Sequence, residues 1–199
     1  MNTNTNMLRI HKSNSEEALL RDCRKGKPSA QHELYERFAP KMLGVCYRYI
    51  HDREEAEHVM IGGMVKVFEK LDQYLGEGSF EGWMRRIMVN ESLMYIRKNK
   101  NMSLVVEVES AEYELNYHSL ESSLETADLL ALIAELPVGY RTVFNLYAIE
   151  GYNHKEIAEL LEINENTSKS QLSRARKYLQ NRLQELQERE LKKGKSNGK

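Results

Sequence analysis

Between residues 31 and 50 the apolar positions Leu34, Phe38, Met42, Val45 and Tyr49 recur every three or four residues. That spacing gathers them on one side of an α-helix. The pattern breaks at His51–Asp52 and resumes in "REEAEHVMIGGMVKVFEKL", with Asp52 placed to cap the new helix. Upstream, "SEEALLRDCRKG" is bracketed by Ser15, a capping residue, and Gly26, a helix terminator. "DQYLGEGS" interrupts the periodicity through two glycines and reads as a loop. Beyond it, "FEGWMRRIMVNESLMYIRKNK" predicts a long helix with Phe80, Trp83, Ile87 and Ile96 facing inward. These helices form one unit over residues 15–99, preceded by a polar segment, 1–14, expected to be disordered.

The next stretch, "NMSLVVEVESAEYELNYHSLESS", sustains no helical stripe. "SLVVEV" is strand-like in isolation, but nothing near it in sequence offers a pairing partner. Residues 100–122 are therefore expected to be an extended linker. A second unit over 123–191 contains "LETADLLALIAELP", closed by Pro137, and "VGYRTVFNLYAIEG", ending at Gly151. "NHKEIAELL" follows, capped by Asn153, then the turn "EINEN" and a final helix from about Thr167 to Leu191. Residues 192–199 are left as a basic, disordered tail. The fold class expected is all-α: two small helical domains joined by an acidic, extended linker.

Composition agrees. The chain has 199 residues, 41% hydrophobic, 8% aromatic and 30% charged, with three prolines, a profile suited to helical domains. Its net charge of −1 gives no whole-molecule attraction to nucleic acid, but the distribution is uneven. From Glu165 to Lys199 there are ten Lys/Arg against four Glu; from Asn99 to Asp128 there is one Lys against seven acids. Basic surfaces on either side of an acidic connector follow from that asymmetry. Cys23 and Cys46 are too few for a disulfide framework and read as reduced, small hydrophobes.

Two helices joined by a short turn, the first short and the second long, are the elements of a helix-turn-helix. Ile157, Ala158, Leu160 and Leu161 make the inner face of the first helix, and Ile163 plugs the turn. With Leu172 set at the core and each residue advancing about 100°, Ala175, Leu179 and Leu183 fall beside it. Asn166, Thr167, Ser170, Ser173, Arg174 and Lys177 fall opposite, flanked by Lys169 and Arg176. Short hydroxyl and amide side chains at the start of such a helix let it approach a major groove and read base edges. The cations and the helix N-terminus suit phosphates. Duplex DNA is the surface this helix fits. A solvated charged face is the plainer account of the cations alone, but it leaves the preceding helix and the plugged turn unexplained.

"LPVGYRTVFNLYAIEGYNHKEIAELL" with "NTSKSQLSRARKYL" resembles the promoter-reading C-terminal domain of extracytoplasmic-function sigma factors, especially those of Bacteroidetes-type bacteria. "LYERFAPKMLGVCYRYIHDREEAE", "VFEKLDQYLGEGSFEGWMRRIMVN" and "YIRKNK" resemble the N-terminal domain of the same family. The resemblance spans about residues 16–98 and 122–183 and joins the two domains in the family's order.

It implies a protein that binds core RNA polymerase, through the clamp coiled coil and the flap, and promoter DNA. Thr167, Lys169, Ser170, Ser173, Arg174, Arg176 and Lys177 would contact the minus-thirty-five duplex. Asn90 would engage a base flipped from the minus-ten strand, an amide being able to donate and accept at once. Arg85, Arg86, Arg97 and Lys98 would hold that strand's backbone. Trp83 suits either base stacking or core packing, its spacing from Phe80 and Ile87 favouring core. The polymerase-binding patch aligns with His58, Ile61, Gly62 and Lys66, yet His58, Ile61 and Gly62 stand where the family has Asp, Gln and Glu. Met94 likewise replaces a family Asp. Lost carboxylates remove charge-assisted bonds to a cationic partner. One expectation is weaker polymerase binding and dependence on a separate DNA-targeting protein; ordinary family drift is the simpler account. The family also implies an anti-sigma factor, and no cofactor.

An enzyme is disfavoured. The six histidines (11, 32, 51, 58, 118, 154) show no His-x-x-x-His spacing, and the cysteines form no Cys-x-x-Cys. "GEGSFEGW" lacks the lysine and the flanking strand of a phosphate loop. His154 reads as helix-start surface and His58 as a solvated helix residue. A response-regulator activator would need an alternating strand–helix domain over 16–100, where only helix is read. A sigma-like adaptor that docks without initiating transcription stays open. With no signal peptide and no apolar window of about 20 residues, no membrane insertion is expected, and the location expected is cytoplasmic, at the nucleoid.

Overall fold

A computed structural model describes residues 16–99 and 126–196; the expectations for residues 1–14 and for the linker at 100–122 lie outside them. The chain divides into two compact units, 1–95 and 96–199, the division falling in the last turn of the helix Phe80–Lys98. Every regular element among the described residues is helical.

In the first unit α1 covers 16–24 and α2 Pro28–Ile50. Pro28 occupies the first helical turn, where its missing N–H costs nothing, so α2 starts ahead of the expected "AQHELY". Leu34, Phe38, Met42, Val45 and Tyr49 are all at most 3% exposed. Burying each such side chain contributes about 1.5–3 kcal/mol. Several of these outweigh the roughly 3 kcal/mol that an interior proline costs, so α2 carries Pro40 on its exposed side. The helix ends at His51, left-handed at φ 57°, and Asp52 then accepts from the Glu55 N–H at 3.0 Å to open α3, Arg53–Glu69.

A short 3₁₀ turn, Leu71–Gln73, leads into the glycine loop and α4, Phe80–Lys98. Arg24 anchors this stretch by donating to the Leu71 and Tyr74 carbonyls at 3.4 and 3.0 Å, and the Tyr74 hydroxyl donates to Gly78 O at 2.8 Å. The inward face of α4 differs from expectation. Phe80 and Ile96 are fully buried, but the row between them is Met84, Met88, Val89, Ser92 and Leu93, while Trp83 and Ile87 are half-buried on the flank. A helical period fixes spacing but not roll. Here the roll follows α3, whose Gly63 admits the Met88 side chain.

The second unit has α5, Thr126–Ala134, and α6, Val138–Phe144, which runs on into one π-helical turn, Asn145–Ile149, closed by the Glu150 N–H on Asn145 O at 3.0 Å. Gly151, at φ +80°, lets the chain reverse so that the Tyr152 N–H reaches Leu146 O at 2.9 Å. Then come α7, His154–Leu161, and α8, Glu165–Ser196. Leu132, Ile133 and Leu136 pack with Ala175 and Leu179 of α8 to form the core. Buried Arg141 donates to the Ala134 and Leu136 carbonyls at 3.0 and 3.3 Å, serving carbonyls at and just beyond the end of α5 that the helix leaves unpaired. α8 overruns the expected end at Leu191. Its run of Leu, Gln, Glu, Arg and Lys favours helix, so residues 192–196, expected in the disordered tail, are helical.

Candidate nucleic-acid interface

Local chemistry builds the α7–turn–α8 unit. The Asn153 side chain accepts from the Lys155 and Glu156 N–H groups, both at 3.0 Å, while Glu156 accepts from the Asn153 N–H at 2.8 Å. This reciprocal cap satisfies the first donors of α7. Glu162 stops the helix in the left-handed region, φ 56°, and the Ile163 N–H closes back on Ala158 O at 3.1 Å. Asn164 then caps α8, its Oδ1 accepting from the Asn166 N–H at 2.9 Å and its carbonyl from the Ser168 N–H at 3.1 Å. That cap explains why α8 begins at Glu165, two residues ahead of Thr167. Ile157, Leu161, Leu172, Ala175 and Leu179 are buried; Ala158, Leu160, Ile163 and Leu183 are half-buried.

The residues assigned to the duplex face all lie off this buried side. Lys169 and Lys177 are exposed; Thr167, Ser170, Ser173, Arg174 and Arg176 are half-buried. Ser170 turns its hydroxyl back to Thr167 O at 3.0 Å, and Lys169 pairs with Glu165 at 2.7 Å. The exposed Glu165 carboxyl is held below the usual carboxylate range by the hydrogen bond from Lys169. Two polar neighbours go the other way: Ser168 and Gln171 are buried.

Sequence reading missed a cluster at the base of this helix. His154 is half-buried rather than helix-start surface, with Nδ1 at 2.9 Å from the Ser168 Oγ. Its ring stacks on Tyr147, centroids 4.7 Å apart and planes inclined at 26°, and the Arg176 guanidinium carbon lies 5.5 Å from the centroid of the same tyrosine. Burial lowers the His154 pKa from its ordinary value; Lys169 and Arg176 push the same way and Glu165 opposes. The shift favours the neutral imidazole. No sequence signal exposes this grouping, because Tyr147 sits on the π turn and Ser168 lies 14 positions beyond His154.

On α4, Asn90, Arg86, Arg97 and Lys98 are exposed and Arg85 is half-buried. At about 100° per residue, Arg86, Asn90 and Arg97 fall on one narrow stripe, with exposed Met94 beside it. Trp83 stacks on Phe80 at 5.6 Å and meets Tyr74 at 5.7 Å, so its ring belongs in part to the core. On α3, His58, Ile61 and Gly62 are exposed, and Val65, 51% exposed, extends their row by one turn. The spacing i, i+3, i+4, i+7 was the available signal for Val65. Lys66 is turned aside to Glu91 on α4, its Nζ 2.7 Å from both carboxylate oxygens.

Among the described residues no group of three or more His, Cys, Asp or Glu is placed to hold a metal ion, and no helix is long and apolar enough to cross a membrane. The sequence matches the Sigma-70 region 2 family over residues 34–102 and the Sigma-70, region 4 family over residues 126–179, together well over half of the chain. The ECF RNA polymerase sigma-E factor of Haemophilus influenzae is 25% identical over 185 residues, covering 86% of this chain and 97% of that one. The ECF RNA polymerase sigma factor SigW of Bacillus subtilis is 27% identical over 179 residues, 84% of this chain and 96% of that one. Among solved structures, CnrH in complex with the cytosolic domain of CnrY aligns with a TM-score of 0.46 at 20% identity, over 84% of this chain and 96% of that one. The sigma factor RpoE in complex with the anti-sigma factor NepR, from Bartonella quintana, aligns with a TM-score of 0.48 at 22% identity, over 77% and 96%.

Proposed function

The chain belongs to the extracytoplasmic-function sigma factors, transcription initiation factors that act with core RNA polymerase on promoter DNA, and we propose that its two units divide the promoter between them. α8 reads the minus-thirty-five element as duplex through Thr167, Lys169, Ser170, Ser173, Arg174, Arg176 and Lys177. α4 holds the opened minus-ten strand, Asn90 engaging a base while Arg85, Arg86, Arg97 and Lys98 face the backbone. Catalysis of RNA synthesis belongs to the polymerase.

The observation that carries this reading is the outward face of α8. Hydroxyls and cations line it, and a capped short helix and a left-handed turn present it. In such an arrangement long cations supply sequence-independent affinity and short polar side chains supply discrimination. Transcription reconstituted with bacterial core polymerase tests it. Base changes in the minus-thirty-five element should be compensated by substitutions at Thr167, Ser170 or Ser173, and Asn90→Ala should impair strand opening while duplex binding survives. Indifference of promoter choice to all of these would refute it.

The α3 row His58, Ile61, Gly62 and Val65 contains no carboxylate. It supports a second, finer element of the proposal: polymerase is gripped here with fewer charge-assisted bonds, and a separate DNA-bound protein helps deliver the factor. Restoring Asp, Gln and Glu at 58, 61 and 62 should tighten polymerase binding; unchanged affinity would remove this element.

A further inference from the structure

Of the first six residues of α8, only Ser168 is buried; Glu165, Asn166 and Lys169 are exposed and Thr167 and Ser170 half-buried. The turn that leads the reading helix is therefore anchored by one small hydroxyl, and the side chain bonded to that hydroxyl across the helix-turn-helix is His154. The His154 ring is also stacked on Tyr147. Tyr147 in turn meets Arg176, two turns further along α8. One imidazole thus touches the first turn of the helix directly and Arg176, two turns on, through a shared aromatic ring.

We propose that His154 is a positioning residue for duplex reading: through Ser168 and Tyr147 it fixes the roll of α8, and with it the aim of Thr167, Ser170 and Arg176. The proposal rests on α8 being the helix that reads the duplex. Magnitudes support it. Side-chain ends lie about 5–6 Å from a helix axis, so a roll of only about 10° displaces them by roughly 1 Å. Hydrogen bonds to base edges tolerate a range of about 0.5 Å. Leu172, Ala175 and Leu179 hold the later turns by apolar contact, which is non-directional and restrains roll weakly at the leading turn. A hydrogen bond at 2.9 Å to a buried hydroxyl is directional. The charged groups facing the ring are Lys169, Arg176 and Glu165 of α8. A neutral imidazole keeps one donor and one acceptor, so Nδ1 can bond the Ser168 hydroxyl in either tautomer.

The test uses the full chain bound to core polymerase. Wild-type holoenzyme is first used to enrich a preferred sequence from a random duplex pool. Binding of variants is then measured on the enriched duplex and on the unselected pool, alongside thermal unfolding. His154→Ala should weaken the enriched duplex about ten-fold and the pool less than about two-fold, collapsing discrimination. His154→Asn places Oδ1 where Nδ1 stood and should recover most of the loss; Ser168→Ala should reproduce the His154→Ala pattern from the other partner. Equal losses on both probes, no loss in either variant, or no rescue by asparagine would overturn the proposal. If the wild type enriches no sequence at all, the duplex-reading function itself fails, an outcome distinct from the three that sink the positioning role alone.

Discussion

Gly63 of α3 lies so close to Met88 of α4 that a β-carbon on Gly63 would fall well inside contact distance of the Met88 Sδ, whereas one on the neighbouring Gly62 would meet nothing within 4 Å. Adjacent glycines thus do opposite things. Gly62→Ala should stabilise the first unit by up to about 1 kcal/mol through helix propensity. Gly63→Ala forces a fully buried methionine to move, and overpacking costs about 1–3 kcal/mol. Denaturant unfolding should rank Gly62→Ala above wild type and Gly63→Ala below it.

Arg141 is 5% exposed and donates to two carbonyls at the end of α5. Arg141→Met keeps most of the volume but strips those acceptors inside the core. Leaving buried carbonyls unserved costs about 1–3 kcal/mol. The loss should show in the second unit's melting transition and leave the first unit's unchanged.

Burial pushes the Cys46 thiol up to about 11, against a smaller opposing hydrogen bond with Ser92. Since the thiolate is the nucleophile, Cys46 should resist iodoacetamide in the native protein near pH 8. Titrating denaturant should release its reactivity along with the unfolding of the first unit.

Glu135 accepts from Arg182 Nε at 2.8 Å and Nη2 at 3.3 Å, and this hydrogen bonding holds its carboxyl below the ordinary value of 4.5. A carboxyl with a lowered folded pKa contributes stability that is complete above the unfolded value and lost as pH falls through the folded one. The second unit's melting temperature should therefore fall on acidification below about pH 5, and Glu135→Gln should flatten that limb without altering the plateau slope near neutrality.

Arg174 and Lys177 lie among the short polar side chains on the outward face of α8. Single alanine substitutions there should weaken binding to all duplexes alike and lower the salt-dependence slope by about one unit each. Thr167→Ala or Ser170→Ala should instead leave the slope intact and change which base is preferred, measured as discrimination between matched and mismatched duplexes.

Much of this was legible in the chain. The caps at Asp52 and Asn153 join atoms within a few residues of each other, and the stripe of α2 depends only on its own period. Such features are local, so residue order alone settles them. The cationic face of α8 is legible for the same reason. What sequence could not decide was roll and partnership. α4 buries Met84 and Met88 in preference to Trp83 and Ile87, and Gly63 on another helix makes room for Met88. Ser168 falls on the core face by its own period, four residues before Leu172, but its bond to His154 and the stacking of that ring on Tyr147 of the π turn join residues that no local period brings together. Periodicity fixes the spacing of side chains along one element, whereas the phase of that element and the fate of its polar groups depend on atoms that only the folded chain brings near.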